Sequence, residues 1–489
     1  MEFCSTRSAA LRVSAAEAVL RGLAPDGGLY LPAEIPSVPA AALTAERYAG
    51  TARAVLQSFL PGYTAAELDA ACAAYARFDA PEVAPLRRVR PGLWSLELWH
   101  GPTCAFKDFA LQLLPHLMTA AARKCGDRRE LAILVATSGD TGKAALAGFA
   151  DVPGTRVGVF YPDGGVSAIQ RLQMVTQTGA NVRVWGVRGN FDDAQNGVKA
   201  IFADAALAAR LDRSGAALSS ANSINWGRLA PQIAYYYWAY ACLVREGAVE
   251  RGAPVDFCVP TGNFGDILAG WYAKHSGLPV GRLICASNRN NVLTQFLNTG
   301  VYDRRREFYK TESPSMDILV SSNLERLLFL LSQDDGAVRG WMERLRRDGF
   351  YDVGPEMLAA LRAEFRAYSC DNRRAAAAAG DLWTRFGYLC DPHTAVAMSA
   401  AAQHRALTGE RTPTVVLSTA SPFKFPDAVL HSIDIPFSGT DFEKLEALSI
   451  LSGLPVPAGL SALRTAAPLH TGVIGRGEMK HAVEGWLEK

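Results

Sequence analysis

From about residue 93 onward, strand-sized apolar runs alternate with longer stretches whose apolar positions recur every three to four residues. The runs fall at 93–98, 131–136, 156–161, 181–187, 255–260, 283–286 and 414–417, and helical periodicity fills 107–124, 142–149, 170–178, 191–207 and 229–245. Strands alternating with amphipathic helices predict βαβ units and a parallel sheet, an α/β fold. The first 80 residues read differently. A short helix is expected over 13–23, with Ser14 as N-cap and Glu17 three residues on, ending in the turn cluster Ala24-Pro-Asp-Gly-Gly28. Residues 31–39 are proline-rich irregular chain, 43–60 and 64–77 read as helices broken at Pro61-Gly62, and no strong strand is expected before a linker at 80–91. The alanine-rich stretch 373–380 reads as the end of a helix, and no repeat of solenoid period is present.

Composition narrows the classes. A chain of 489 residues suggests about three structural units at roughly 150 residues each. With 49% apolar and 20% charged residues the chain is of ordinary globular type, and 50 Lys+Arg against 48 Asp+Glu give no charge field for nucleic acid or an anionic membrane. The apolar runs are far short of the roughly 20 residues that span a bilayer, and the first 25 residues lack an unbroken apolar core of the secretory kind. Nine cysteines, odd in number and without a C-x-x-C, argue against a disulfide framework or zinc ribbon and for a reducing, cytoplasmic setting.

Candidate chemistry gathers at strand ends. Ala136-Thr-Ser-Gly-Asp-Thr-Gly142 and Pro260-Thr-Gly-Asn-Phe-Gly-Asp266 each follow an apolar run and open a helical stretch. Glycine lets backbone approach an anion that the helix N-terminus attracts, although a tight turn without ligand has the same pattern. Lys143 after the first loop gives it a partial P-loop look. Thr137 stands at the first glycine position and Ala144 replaces the magnesium-binding hydroxyl, so an NTPase is disfavoured, and neither loop is a dinucleotide fingerprint. A smaller phosphate-bearing ligand fits better. Lys107, in Ala105-Phe-Lys-Asp-Phe109, lies between two phenylalanines near a helix start, where its ammonium is destabilised and the free amine favoured. A lysine snorkelling past two core aromatics would show the same pattern. His100 and His393 are candidate acids, and Cys104, with no base placed beside it, reads as a small core residue. The 219–228 stretch, with Asn222, Asn225 and Arg228, suits an anion or merely a capped helix start, and 415–422 ends an apolar run in hydroxyls, including Thr419.

In order along the chain, Ser5-Thr-Arg7, 22–29, His100-Gly-Pro-Thr103, 105–109, 137–142, Asn222-Ser-Ile-Asn-Trp226, 261–266, Asp391-Pro-His393 and 419–422 resemble the threonine synthase family, as far as about residue 430. The chain resembles the long form of that family, which carries a helical N-terminal domain, a resemblance that implies the tryptophan-synthase-β fold of pyridoxal-phosphate enzymes. Cys104 and Asp163 depart from the expected pattern. The resemblance implies two parallel-sheet, three-layer core domains, with 1–90 helical, 91–230 and 231–430 as the cores and 431–489 as a C-terminal extension. It implies that Lys107 binds pyridoxal 5'-phosphate as a Schiff base, that Gly262, Asn263, Phe264, Gly265 and Asp266 cradle its phosphate, and that Thr419 meets the pyridine nitrogen. Ser138, Gly139, Asp140 and Thr141 would receive the substrate carboxylate and the ring hydroxyl, with Arg228, supported by Asn225, on the substrate phosphate. The implied reaction takes O-phosphohomoserine and water to L-threonine and phosphate. A phospholyase releasing 2-oxobutyrate, a dehydratase, and a non-catalytic ligand-binding member are the alternatives; Ser5-Thr-Arg7 speaks against the dehydratase. The expected assembly is a monomer or homodimer.

Overall fold

The computed structural model describes residues 1–137 and 139–487. Two sheets carry the core. The larger has six strands in the order Phe365–Ser369, Val280–Ser287, Val255–Pro260, Thr414–Ser418, Leu93–Glu97 and Leu86–Arg90, parallel except for the last pair. The smaller has five parallel strands in the order Val473–Gly475, Val182–Arg188, Thr155–Pro162, Glu130–Ala136 and Ala216–Ser219.

Alternation along each strand produces three layers. In the larger sheet Phe257, Val259, Leu283, Cys285, Val415 and Leu417 face one core, which includes helix Trp226–Arg245 and helix Gly265–His275. Their neighbours Cys258, Ile284, Ala286 and Val416 face the other, against helices Asn372–Phe386 and Pro392–Thr408. The smaller sheet divides in the same way, Leu131, Ile133 and Val135 to one side and Ala132 and Leu134 to the other. Both faces are covered, so the strands read as continuous apolar runs, and each fully buried Leu, Val or Phe contributes about 1.5–3 kcal/mol.

Strand pairing crosses the boundaries drawn from sequence. Leu93–Glu97, expected in a 91–230 unit, is an inner strand of the larger sheet beside Thr414–Ser418. The 431–489 stretch returns to the smaller sheet, where Val473–Gly475 pairs with Val182–Arg188 and helix Met479–Leu487 packs beneath. Hydrophobic runs mark strands but not their partners, because parallel neighbours are joined by long crossovers.

The N-terminal region is also less helical than expected. Phe3–Ser5, Ser8–Val13 and Tyr30–Pro32 form a three-stranded antiparallel sheet, whose last strand runs into the stretch 31–39 read as irregular chain, with Tyr30 and Leu31 fully buried. Two of these strands have three residues, too few for alternation to show, and tertiary contact decides their state. The helix predicted from Ser14 is present as Ala15–Arg21, with a complete capping box between Ser14 and Glu17. The alanine-rich stretch 373–380 forms the N-terminal half of helix Asn372–Phe386. No described helix is long and apolar enough to cross a membrane.

Candidate functional site

Lys107 sits where the chain crosses between the sheets. The Phe106 N–H donates to the Thr419 carbonyl at 2.8 Å, and Ala105 bridges Ala420, so the lysine loop is stitched to the end of strand Thr414–Ser418. Asp108 fixes the turn before it, accepting from Thr103 N–H at 2.8 Å and from the Thr103 hydroxyl and Gln112 amide at 2.9 Å each. Cys104 adopts φ 60° in that turn, uncommon for a residue with a Cβ. Its thiol is buried and pushed up to about 12, which leaves it a core residue and not a nucleophile.

The lysine faces charges from both halves of the molecule. Its Nζ lies 3.7 Å from Asp140 Oδ2 and donates to Ser315 Oγ at 3.2 Å. Burial lowers the Lys107 pKa; Asp140 opposes this, while Lys424 and Arg228 act with burial. Asp140 is itself held by the fully buried Lys424, whose Nζ lies 2.6 Å from Asp140 Oδ1 and donates to the Thr103 carbonyl at 3.0 Å. Burial alone would raise the Asp140 carboxyl, yet Lys424 and Lys107 together hold it well below the usual range. Sequence reasoning missed both Lys424 and Ser315. Lys424 carried a visible signal, since Phe423-Lys-Phe425 repeats the aromatic flanks of Phe106-Lys-Asp-Phe109.

In the first glycine loop, the Thr137 hydroxyl accepts from the N–H groups of Gly139 and Gly142 at 3.0 and 2.9 Å. Gly139 has φ 143°, a conformation side chains rarely adopt, and a Cβ there would also displace the end of the Gln170 side chain, 2.5 Å away. The N–H groups of Asp140 and Thr141 head helix Asp140–Phe149, but the Asp140 side chain is turned to the two lysines. Ser138 lies outside the described residues.

The second loop runs from strand Val255–Pro260 into helix Gly265–His275. Phe264 takes the left-handed conformation at φ 64°, held by its buried ring against Phe365. A Cβ on Gly262 would lie 2.7 Å from the Ser315 carbonyl oxygen. Asn323 clamps the loop from outside, its N–H and side-chain amide donating to the Asn263 carbonyl at 3.1 and 3.0 Å. Asp266 accepts from the Ile267 N–H at 2.9 Å, but burial still pushes its carboxyl up to about 7.

Arg228 is buried in helix Trp226–Arg245, and one terminal nitrogen donates to the Ala221 carbonyl at 2.8 Å. Its Nε is buried without a partner, and burial pulls the guanidinium down to about 10. Asn225 caps that helix, accepting from Gly227 N–H at 2.8 Å while its amide donates to the Val19 carbonyl at 2.9 Å. The capping role is therefore real for Asn225, whereas among the described residues no carboxylate compensates Arg228. Of the two candidate histidines, His100 is tied to Asp79 and Glu97 at 2.8 and 3.1 Å, contacts that raise its pKa although burial opposes them. His393 is buried near Lys107's partner: its Nε2 accepts from the Ser315 N–H at 3.1 Å, and its Nδ1 lies 2.6 Å from Asp391 Oδ2.

These residues fit a phosphate-bearing aldehyde cofactor. The site provides a buried amine shifted toward its neutral form, a glycine loop leading into a helix N-terminus, and a carboxyl there that burial keeps from repelling an anion. Arg228 adds a buried cation that nothing among the described residues compensates.

Comparison with known proteins agrees. The family described as "Pyridoxal-phosphate dependent enzyme" matches residues 78–420, flanked by "Threonine synthase N terminus" at 2–75 and "Threonine synthase, C-terminal" at 394–453. A threonine synthase from Pseudomonas aeruginosa is 40% identical over 88% of this chain and 90% of its own. Human threonine synthase-like 1 is 38% identical over 96% of this chain, which spans 63% of that relative's length. Among solved structures, PLP-bound threonine synthase from Brucella melitensis superposes with a TM-score of 0.88 at 39% identity, covering 100% of this chain and 99% of the other. The yeast threonine synthase gives 0.89 at 33% identity, again over 100% and 99%. The chain belongs to the threonine synthase family of pyridoxal-phosphate-dependent enzymes.

Proposed function

We propose that this protein is a threonine synthase, which takes O-phosphohomoserine and water to L-threonine and inorganic phosphate. The observation that carries this reading is Arg228, a buried guanidinium beside Lys107 with an unpartnered Nε, separate from the loop that would hold the cofactor phosphate. A substrate that brings its own phosphate needs such a second anion site.

When bound, pyridoxal phosphate supplies the electron sink that makes the substrate's Cα proton labile. The chain's residues do the rest. Lys107 Nζ, poised toward its free amine, takes a proton at Cα and returns it, acting at both Cα and Cβ. Gly262, Asn263, Phe264, Gly265 and Asp266 hold the cofactor phosphate at the head of helix Gly265–His275. Thr419 lies at the end of strand Thr414–Ser418, beside the Lys107 loop, and its hydroxyl would serve the ring nitrogen of the bound cofactor. For the substrate carboxylate, Gly139, Asp140 and Thr141 offer backbone: the Gly139 N–H is already used by Thr137, so the Asp140 and Thr141 N–H groups remain. Arg228, its backbone tied to Asn225 by the 2.9 Å bond from its N–H to the Asn225 carbonyl, stabilises charge on the departing γ-phosphate.

The likeness to threonine synthase-like 1 leaves open the alternative outcome from the same site, elimination of phosphate with release of 2-oxobutyrate and ammonia. Product analysis decides: incubation with O-phosphohomoserine is expected to yield threonine and phosphate in equal amounts. 2-Oxobutyrate in place of threonine would establish the second reading, and no phosphate release would overturn both. Replacing Arg228 by Ala should raise the KM for O-phosphohomoserine about 10- to 100-fold, the loss of a charged hydrogen bond or two, while the cofactor's visible spectrum stays unchanged. A folded Arg228→Ala enzyme with native KM and kcat would remove the arginine from the site.

A further inference from the structure

Ser315 comes from a loop with no sequence motif that pointed to it, yet it touches the reacting nitrogen. Lys107 Nζ donates to Ser315 Oγ at 3.2 Å, and Ser315 Oγ donates to Asp140 Oδ2 at 3.3 Å. The direct Lys107–Asp140 separation is longer, 3.7 Å, so the hydroxyl bridges the ammonium and carboxylate.

The serine is held on three sides. Its N–H donates to His393 Nε2, so the imidazole proton sits on Nδ1 and is donated to Asp391. Asp391 is fixed in turn as the N-cap of helix Pro392–Thr408, accepting from the His393 and Thr394 N–H groups. The Ser315 carbonyl lies against Gly262. The loop itself is pinned by Asp317, which accepts from Thr311 N–H, the Thr311 hydroxyl and the amides of Asn288 and Asn290 at 2.7–2.9 Å. A serine placed this firmly against an amine orients that amine.

We infer that Ser315 is a further catalytic residue, whose hydroxyl holds the Lys107 amine in line and stabilises it while it carries the proton taken from the substrate. The inference rests on the reading of Lys107 as proton carrier. The proton moves from substrate carbon to Nζ; the resulting ammonium donates to Ser315 Oγ, whose own hydrogen stays on the hydroxyl and points to Asp140. Asp140, held ionised by Lys424, takes no proton, and the ammonium returns its proton to the substrate.

The test measures the amine directly. The full chain, stripped of cofactor, is acylated with acetic anhydride at a series of pH values, and the labelling of Lys107 and Lys143 is followed by mass spectrometry. The charged groups facing Lys107 are Asp140, Lys424, Arg228 and Asp266, and all remain in a Ser315→Ala variant. The variant should shift the Lys107 labelling curve about one pH unit lower, the scale of one hydrogen bond to a charged group, and leave Lys143 unmoved. Ser315→Thr, which keeps the hydroxyl, should restore the curve. In the cofactor-loaded protein the acidic limb of kcat should move the same way in Ser315→Ala. An unchanged Lys107 curve, or Lys107 and Lys143 shifting together, overturns the inference. The labelling uses no substrate, so a Lys107 shift in a protein that makes no threonine would sink the proposed reaction while leaving the Ser315 contact standing.

Discussion

The loops 136–142 and 260–266 follow one plan: a buried parallel strand, a glycine-rich turn, and an aspartate in the first turn of the next helix. Both aspartates are buried and both stand at a helix N-terminus, yet their carboxyls are driven in opposite directions. Asp140 is kept ionised by Lys424 and Lys107, whereas at Asp266 burial outweighs the N–H groups of Ile267 and of Asp266 itself and the charge of Lys107. The difference suits the two tasks. The first loop fixes an anion that holds the amines of Lys107 and Lys424 on either side of it. The second, proposed to take the cofactor phosphate, carries a carboxyl whose raised pKa weakens its charge and so its repulsion of an anion. Shared local sequence grammar therefore set the backbone, while distant residues set the charge.

The largest effect expected is at the nitrogen that the first loop organises. Lys107→Ala should abolish turnover, and borohydride reduction of the loaded wild-type protein should fix the cofactor on the peptide containing Lys107. An adduct on Lys143, Lys424 or another lysine would move the reactive centre. Next comes the carboxylate. Asp140→Asn leaves the fully buried Lys424 without its counter-ion, and breaking such a pair costs about 3–5 kcal/mol. Chemical denaturation of the cofactor-free protein should show that loss, and a stability within 1 kcal/mol of wild type, on the order of one neutral hydrogen bond, would mean that Lys424 is compensated elsewhere.

On the side of the second loop, Gly262→Val should act on affinity. Its Cβ would fall 2.7 Å from the Ser315 carbonyl, so the backbone must shift away from the phosphate. Loss of two charged hydrogen bonds predicts weaker pyridoxal phosphate binding by about 2–4 kcal/mol, read by equilibrium titration. Unchanged affinity would place the cradle elsewhere.

How much of this could be read from the chain follows the same division. Runs such as 255–260, the loops after them, the Ser14–Glu17 capping box and the phenylalanine-flanked Lys107 were legible because each is a local pattern. Ser315 was not, because it reaches Lys107 from some 208 positions away, and the aromatic flanks of Lys424 did not by themselves show that it meets Asp140 from 284 positions away. Asn225 shows the converse: an amide before a helix looked equally fit for a ligand and for a cap, and only its bonds to Gly227 and Val19 distinguish them. The departures at Cys104 and Asp163 fall on a buried turn and an exposed one, away from the lysine's polar contacts.

The finest test of the comparison is the sign of the pH dependence. Asp266 has its folded pKa raised from 3.8 to about 7, so between those values the folded protein binds the proton that the unfolded chain has released. Stability from this group is therefore present at low pH and is lost as pH rises through that window, at up to about 1.4 kcal/mol per pH unit. Asp140 has the opposite sign: its folded pKa lies below the unfolded value, so its stabilisation is present above about pH 4 and is lost as pH falls. Denaturation of the cofactor-free protein between pH 5 and 7 should therefore show a slope that Asp266→Asn flattens, and Asp140→Asn should leave that slope in place while lowering stability at every pH in the range. If Asp266→Asn keeps the wild-type slope, the second carboxyl is ionised like the first, and the two loops differ in backbone alone.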